Sequence, residues 1–282
     1  MIGLQELLTS IEIGLILGVV AIGIFVTFKT INFADMTCDG SFVLGAVVTA
    51  VTIKNGVNPY IAILTSMVAG GVAGCVTGIL NIKCKITDLL SGIIVAYMLY
   101  SVNLMIMGNS PNLTFLDNQT VFSDSRIYAA IVVVFLVAAV TWVMFSNTGL
   151  KLRAVGYNKQ FATTSGINVN VITTLGLAIS NAMIAAGGSL FSQYQGFCDI
   201  SEGFGMLVTG LASIVIGTKT LAFRSEPLLI ASCVVGSVLY RIFVNIALHS
   251  DALGIKTQNL NLITGLIAIA VMTMKGGVKT KC

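Results

Sequence analysis

The chain has 282 residues, 56% hydrophobic and only 9% charged, against about 25% charged for an ordinary soluble domain. That composition excludes a soluble enzyme or binding module and indicates a polytopic membrane protein with no room for a separate soluble domain. The net charge of +4 is spread over membrane-flanking loops rather than gathered in one patch, which argues against a nucleic-acid partner.

Apolar runs of roughly 17–25 residues, long enough to cross about 30 Å of hydrocarbon, recur along the chain. The first lies at about 11–28. Residues 1–12 hold Glu6 and Glu12 but no basic residue, so the positive start of a cleavable signal is missing and this span should be retained. The second, at 41–53, is too short unless it begins inside the polar stretch 30–40. The third, 60–82, carries Ser66, Gly70, Gly74 and Gly78, a small residue at every fourth position, which predicts a buried helix closely approached by a neighbour. Gly74→Leu should accordingly do more damage than Ala50→Leu. The fourth covers 88–107, and a polar loop with Pro111 follows at 108–126. The fifth, 127–145, leads into a polar stretch at 149–170 carrying several basic residues. A sixth span at 171–193 contains Gly187 and Gly188, a short or broken one falls at 203–217, and the eighth and ninth at 227–248 and 260–274. The expected architecture is all-α, with about nine transmembrane helices including short or broken ones, in a single transmembrane domain over 1–282.

Basic loops set the orientation. With the C-terminus cytoplasmic, alternation through nine spans puts Lys29, Lys83, Lys85, Lys151, Arg153, Lys159, Lys219, Arg224, Lys275, Lys279 and Lys281 inside, which is 11 of the 15 basic residues. Glu6, Glu12, Asp117, Asp124, Asp199, Glu202 and Asp251 then lie outside, as does the N-terminus. The six cysteines show neither CxxC pairs nor histidine-rich spacing, so no metal site or disulfide framework is indicated.

In the stretch 149–170, Leu150, Leu152, Val155 and Phe161 can share one face of a cytoplasmic helix, while Lys151, Arg153, Asn158, Lys159 and Gln160 face water. Periodicity alone permits an interfacial helix that merely snorkels its lysines. It equally permits a helix that docks another subunit. Asp35 and Asp39 lie four apart, on one face if helical. A charge in a membrane segment is costly and usually faces protein interior or water. Asp39 or Thr37 can cap the second span, or Asn32, Asp35, Thr37, Asp39 and Ser41 can border a translocation path. Arg241, well inside the eighth span, can line a cavity or snorkel outward. His249 is a lone histidine at a span end, a weak proton-relay signal.

Residues 153–158, Arg-Ala-Val-Gly-Tyr-Asn, followed by Ala162 and 165–167, Ser-Gly-Ile, resemble the R-A-x-G-x-N…A…G-I pattern of ABC importer permeases of the branched-chain amino acid and ribose type. Asn32, Phe33 and Ala34 are similar to the N-F-A of the amino-acid branch. Residues 35–41 resemble the D-L-S-V-G-S of the sugar branch with one extra acid, Asp39, and come nearest to D-L-T-V-D-G-S-F of permeases assigned to tryptophan or tyrosine uptake. The Gly- and Ala-rich run 203–217 is similar to a short span late in the same family. The likeness touches the beginning, middle and end of the chain. It implies that Arg153, Ala154, Gly156, Tyr157, Asn158 and Gly166 couple to an ATPase subunit. Gly156→Trp or Tyr157→Ala should then leave the fold intact while weakening ATPase capture.

No P-loop is present, because neither 217–220 nor 277–280 places a glycine directly before its lysine. The chain therefore carries no cofactor of its own, and ATP would be bound by a separate subunit. No hydrolase or metalloprotease motif appears, so the chain is not expected to be an enzyme. The resulting expectation is the permease of a bacterial ABC importer in the plasma membrane. It would work as a homodimer among membrane lipids, with an extracytoplasmic solute-binding protein delivering a small solute such as an amino acid. The competing expectation is an ion-coupled secondary transporter, with Asp35 and Asp39 as ion ligands.

Overall fold

The computed structural model describes residues 4–116, 118–124, 126–221 and 226–248, with 265, 266 and 269 besides. Helix α1 (Leu4–Phe25) runs into a π-helical turn, Val26–Ile31. Helices α2 (Thr37–Lys54), α3 (Pro59–Lys83) and α4 (Asp88–Ile106) follow. A short strand β1 (Asn112–Thr114) and a single turn α5 (Val121–Asp124) precede α6 (Arg126–Phe145). Then come α7 (Asn147–Tyr157), α8 (Lys159–Thr164) and α9 (Val169–Gln195). Strand β2 (Phe197–Asp199), a 3-10 turn (Ile200–Gly203), α10 (Met206–Leu221) and α11 (Glu226–Leu248) complete the described chain.

Seven of these segments are long and apolar enough to cross a membrane, and the bent pair α6–α7 makes an eighth. They coincide with eight of the nine expected spans. The expected ninth, at 260–274, lies outside the described residues but for 265, 266 and 269, and Arg224, His249, Ser250 and the C-terminal lysines lie outside them altogether.

The middle of α1 is apolar on every side, and Val19, Val20, Ala21, Ile22 and Ile24 are all buried, as befits a helix enclosed by others. It packs on α9, α10 and α11, while α2 and α3 cover other faces of α9. The α3–α9 pairing is antiparallel and follows the small residues anticipated in the third span. A Cβ on Gly70, Gly74 or Gly78 would collide with Asn181, Leu177 or Thr174 respectively. The close approach is confined to one face of α3. Ile61, Leu64, Val68 and Val72 on the opposite face are exposed, so the expectation of a wholly buried helix is corrected to a half-buried one. The outward residues Ile131, Val134, Phe135 and Trp142 of α6 give it the same lipid-facing character.

At the break between the π turn and α2, Asn32 adopts the left-handed conformation (φ 56°, ψ 47°), which asparagine tolerates. Its N–H and that of Phe33 both donate to the Thr27 carbonyl. The second span does start inside the polar stretch, at Thr37. Irregular backbone at membrane depth survives only where protein or a water-lined cavity satisfies it. β1 and β2 pair antiparallel, Leu113 opposite Cys198, so the 108–120 and 196–200 connections lie on one side of the bundle.

Candidate functional site

The helix break and the start of α10 are held by the two acids singled out in the sequence. Asp35 is fully buried; its Oδ1 accepts from the Thr37 N–H at 2.8 Å and its Oδ2 from Asn181 Nδ2 at 2.8 Å. Twelve residues at about 1.5 Å each place Asn181 about 18 Å along α9 from Val169, close to mid-helix. Thr37 and Thr77 share a buried hydroxyl hydrogen bond of 2.8 Å, tying α2 to α3. Asp39 is a cap, but not of α2. Its Oδ1 accepts from the Leu207 N–H at 2.9 Å and its Oδ2 from the Gly205 N–H at 3.3 Å, satisfying first-turn donors of α10. The first N–H of α2, that of Thr37, turns instead to Asp35. Helix α10 thus starts beside the third residue of α2, with Gly205 at a positive φ (86°) to make the turn, and residues 200–221 are long enough for a full span where a short or broken one was expected.

A cavity of about 420 Å³ opens beside this junction, between α2, α4 and the segment leading into α10. Asp39, Tyr97, Tyr100, Asn103 and Phe204 line it together with apolar side chains such as Val43 and Ile93. Of the five pathway candidates, Asp39 faces this cavity; Asp35, Thr37 and Ser41 are fully buried, and Asn32 is exposed at the end of the π turn. Sequence alone leaves Tyr97, Tyr100 and Asn103 open between a pathway and packing, because only the helix rotation brings them beside Asp39, and it gives no signal for Phe204. Arg241 borders a second, smaller cavity of about 190 Å³ with Glu6, Ser10 and Asn245.

The third feature is the polar stretch after α6. It forms two helices, not one, with α7 turned 71° from α6. Ser146 caps α7 through the Thr148 N–H, and Asn158 caps α8 by accepting from the Gln160 and Phe161 N–H groups. Gly166, at φ 76°, ends α8, with the Ile167 N–H returning to the Ala162 carbonyl. Arg153 does not face water as expected: its guanidinium donates to the Met144 carbonyl at 3.1 Å and the Gly149 carbonyl at 3.3 Å, closing the C-terminal end of α6. Leu152, Val155 and Ala162 are buried. Leu150 and Phe161, expected on the same inner face, point outward, and Tyr157 is 92% exposed. Ala154 is half-buried. Gly156 presses on the π turn, where a Cβ would overlap the Thr30 carbonyl, so the expectation that Gly156→Trp leaves the fold intact is withdrawn.

The break between α1 and α2 thus borders the cavity at Met36 and, through Thr30 and Gly156, the exposed helices α7 and α8. The chain matches the family model described as branched-chain amino acid transport system / permease component over residues 7–272. It belongs to that family. It is 41% identical over 265 residues to the tyrosine transport system permease protein of Clostridioides difficile (strain R20291), covering 92% of this chain and 87% of that one. Uncharacterized protein RP368 of Rickettsia prowazekii (strain Madrid E) is 34% identical over 271 residues, covering 93% and 94%. The ribose import permease protein RbsC of Escherichia coli (strain K12) is 22% identical over 213 residues, covering 72% and 66%. The solved structure of PsaBC from Streptococcus pneumoniae in complex with Fab shares the fold, with a TM-score of 0.56 at 14% identity over 96% of this chain and 94% of that one. The chain is thus a multi-pass permease of the ABC importer class, in a family of transport components rather than enzymes.

Proposed function

We propose that this permease moves an aromatic amino acid inward by alternating access, driven by ATP hydrolysed on a separate subunit. The observation that carries the mechanism is the α7–α8 platform: Tyr157, Phe161 and Leu150 stand exposed on it, while Gly156 beneath them is packed on the π turn that leads to the α2 break. A subunit pushing there moves Thr30, and through residues 31–36 the Asp35–Asn181 and Asp39–α10 contacts. Tyr157 and Phe161 are the docking anchors, since buried aromatic anchors dominate interfaces. Arg153, Asn158 and Gly166 shape the platform from within. The substrate proposal leans on the 41% identity to a tyrosine permease. Asp39 borders the pathway, and Asn32, Asp35, Thr37 and Ser41 hold the break that lets it open.

The platform faces the cytoplasm and the ATPase; the β1–β2 side faces outward, toward an extracytoplasmic solute-binding protein. The N-terminus is outside, and residues 1–282 form one permease domain that pairs with a second copy. Reconstitution with the ATPase and binding protein in proteoliposomes tests the energy source. Tyrosine uptake should require ATP and be indifferent to imposed proton or sodium gradients. Uptake that follows an ion gradient without ATP would establish the ion-coupled mechanism instead.

A further inference from the structure

We infer that the cavity between α2, α4 and the lead into α10 is a selective site for a protonated amine attached to an aromatic or apolar body. Its place on the transport path rests on the importer reading above.

Asn103 is 1% exposed; its Nδ2 donates to the Gly40 carbonyl at 3.3 Å, which fixes the orientation of the amide. Its Oδ1 is therefore directed away from that carbonyl, and it is buried without a hydrogen-bond partner. A buried acceptor left unmade is expensive, so this atom calls for a donor that the chain itself does not supply. Asp39 is the second acceptor. Each of its oxygens receives one backbone N–H from the start of α10, and an ionised carboxylate offers about four lone-pair sites, so half remain for a ligand.

Among the described residues, no lysine, arginine or histidine lines the cavity. Its charged and amide side chains thus offer an acid and an unpaired acceptor, with no cation to receive an anionic group. A primary ammonium carries three donors and a positive charge, the chemical complement of an acid and an unpaired acceptor. The remaining wall suits the rest of such a molecule. Tyr97 and Phe204 are well exposed and Tyr100 partly so, giving ring faces that stack on an aromatic body or attract the ammonium. A volume of about 420 Å³ falls within the range of small-ligand pockets, about 300–1,000 Å³. Asp39 at the same time caps α10, so a ligand bound to it engages the moving parts of the break directly. Selection and transport then share one carboxylate.

The test uses the permease–ATPase complex in nanodiscs without the binding protein, so that selection by that protein does not enter. Equilibrium binding is measured with tyramine, L-tyrosine and 3-(4-hydroxyphenyl)propionate, which lacks the amine. Tyramine should bind, tyrosine should bind more weakly because its carboxylate meets no cation there, and the propionate should not bind. Asn103→Leu and Asp39→Asn should each weaken tyramine by about tenfold or more, the loss of one charge-assisted hydrogen bond. Phe204→Ala, at an exposed position, should weaken it about threefold without altering the unliganded thermal midpoint, which guards against misfolding as the cause. Equal binding of the propionate, absence of tyramine binding, or unchanged tyramine affinity in a folded Asn103→Leu protein would overturn the site. If ATP-driven tyrosine uptake persists while the site fails, the importer reading stands without it. Amine binding in a protein that shows no ATP-driven uptake supports the site and refutes the importer reading.

Discussion

Asp35 and Asp39 are four positions apart in sequence, yet their carboxylates serve different helices. Asp35 is sealed between the Thr37 N–H and Asn181, and Asp39 reaches across to the first turn of α10. A buried carboxylate is tolerated because each oxygen has a donor, and removing one donor strands the other partner. Asn181→Leu should therefore destabilise the detergent-solubilised permease by about 1–3 kcal/mol, and adding Asp35→Asn should recover part of that loss, because the stranded charge is gone. Thermal denaturation of the two single variants and the double variant measures the coupling; strictly additive losses would show that the contact carries no energy. The same scale explains what the 153–158 motif could and could not tell. Its residue types are those that cap, terminate and pack closely, and they do so within the chain: Arg153 on the end of α6, Gly156 on Thr30, Asn158 on α8. Spacing cannot distinguish a partner on the same chain from one on another subunit. Tyr157 alone of the motif's larger side chains is left for a partner.

Among elements, the α3–α9 pair is where sequence and structure agree most closely. Small residues every fourth position mark a ridge that lets backbones touch, and in the antiparallel register Gly74 meets the Leu177 carbonyl. Gly71, next along but one position off the ridge, has its nearest neighbour 3.7 Å from a hypothetical Cβ, an ordinary contact. Ala50, the comparator expected from sequence, is itself fully buried, so Gly71 takes its place. Gly74→Ala should lower the thermal midpoint and the yield of folded permease, whereas Gly71→Ala should be neutral or slightly stabilising, since alanine favours helix over glycine by about 1 kcal/mol. Equal effects at 71 and 74 would place the packing ridge elsewhere. The span boundaries were legible for a related reason, because hydrophobic length is a local property. The start of α10 beside Asp39 and the β1–β2 ribbon were not legible: both depend on contacts between residues more than 80 positions apart.

For the molecule as a whole, the described helices form two shells. Buried segments of α1, α2 and α9 make the interior, and α3, α4, α6 and α11 present apolar faces outward. The break between α1 and α2 passes through the interior shell, bounded on one side by the cavity and on the other by α7. That continuity is the physical content of the proposal that an ATPase works the pathway through the platform. The class of protein was readable from composition and motif. The cavity was not, since it is assembled from three separate elements whose rotations no single-sequence periodicity fixes. Tyr157→Ala tests the central claim most directly. At 92% exposure its loss should leave folding unchanged to within about 0.5 kcal/mol. In proteoliposomes with the ATPase and binding protein, the variant should capture less ATPase or hydrolyse ATP without transporting, and lose uptake in proportion. Such a result also places α7–α8 on the cytoplasmic side, and hence β1–β2 outside. Wild-type uptake together with unchanged ATPase co-purification in the Tyr157→Ala protein would contradict the account.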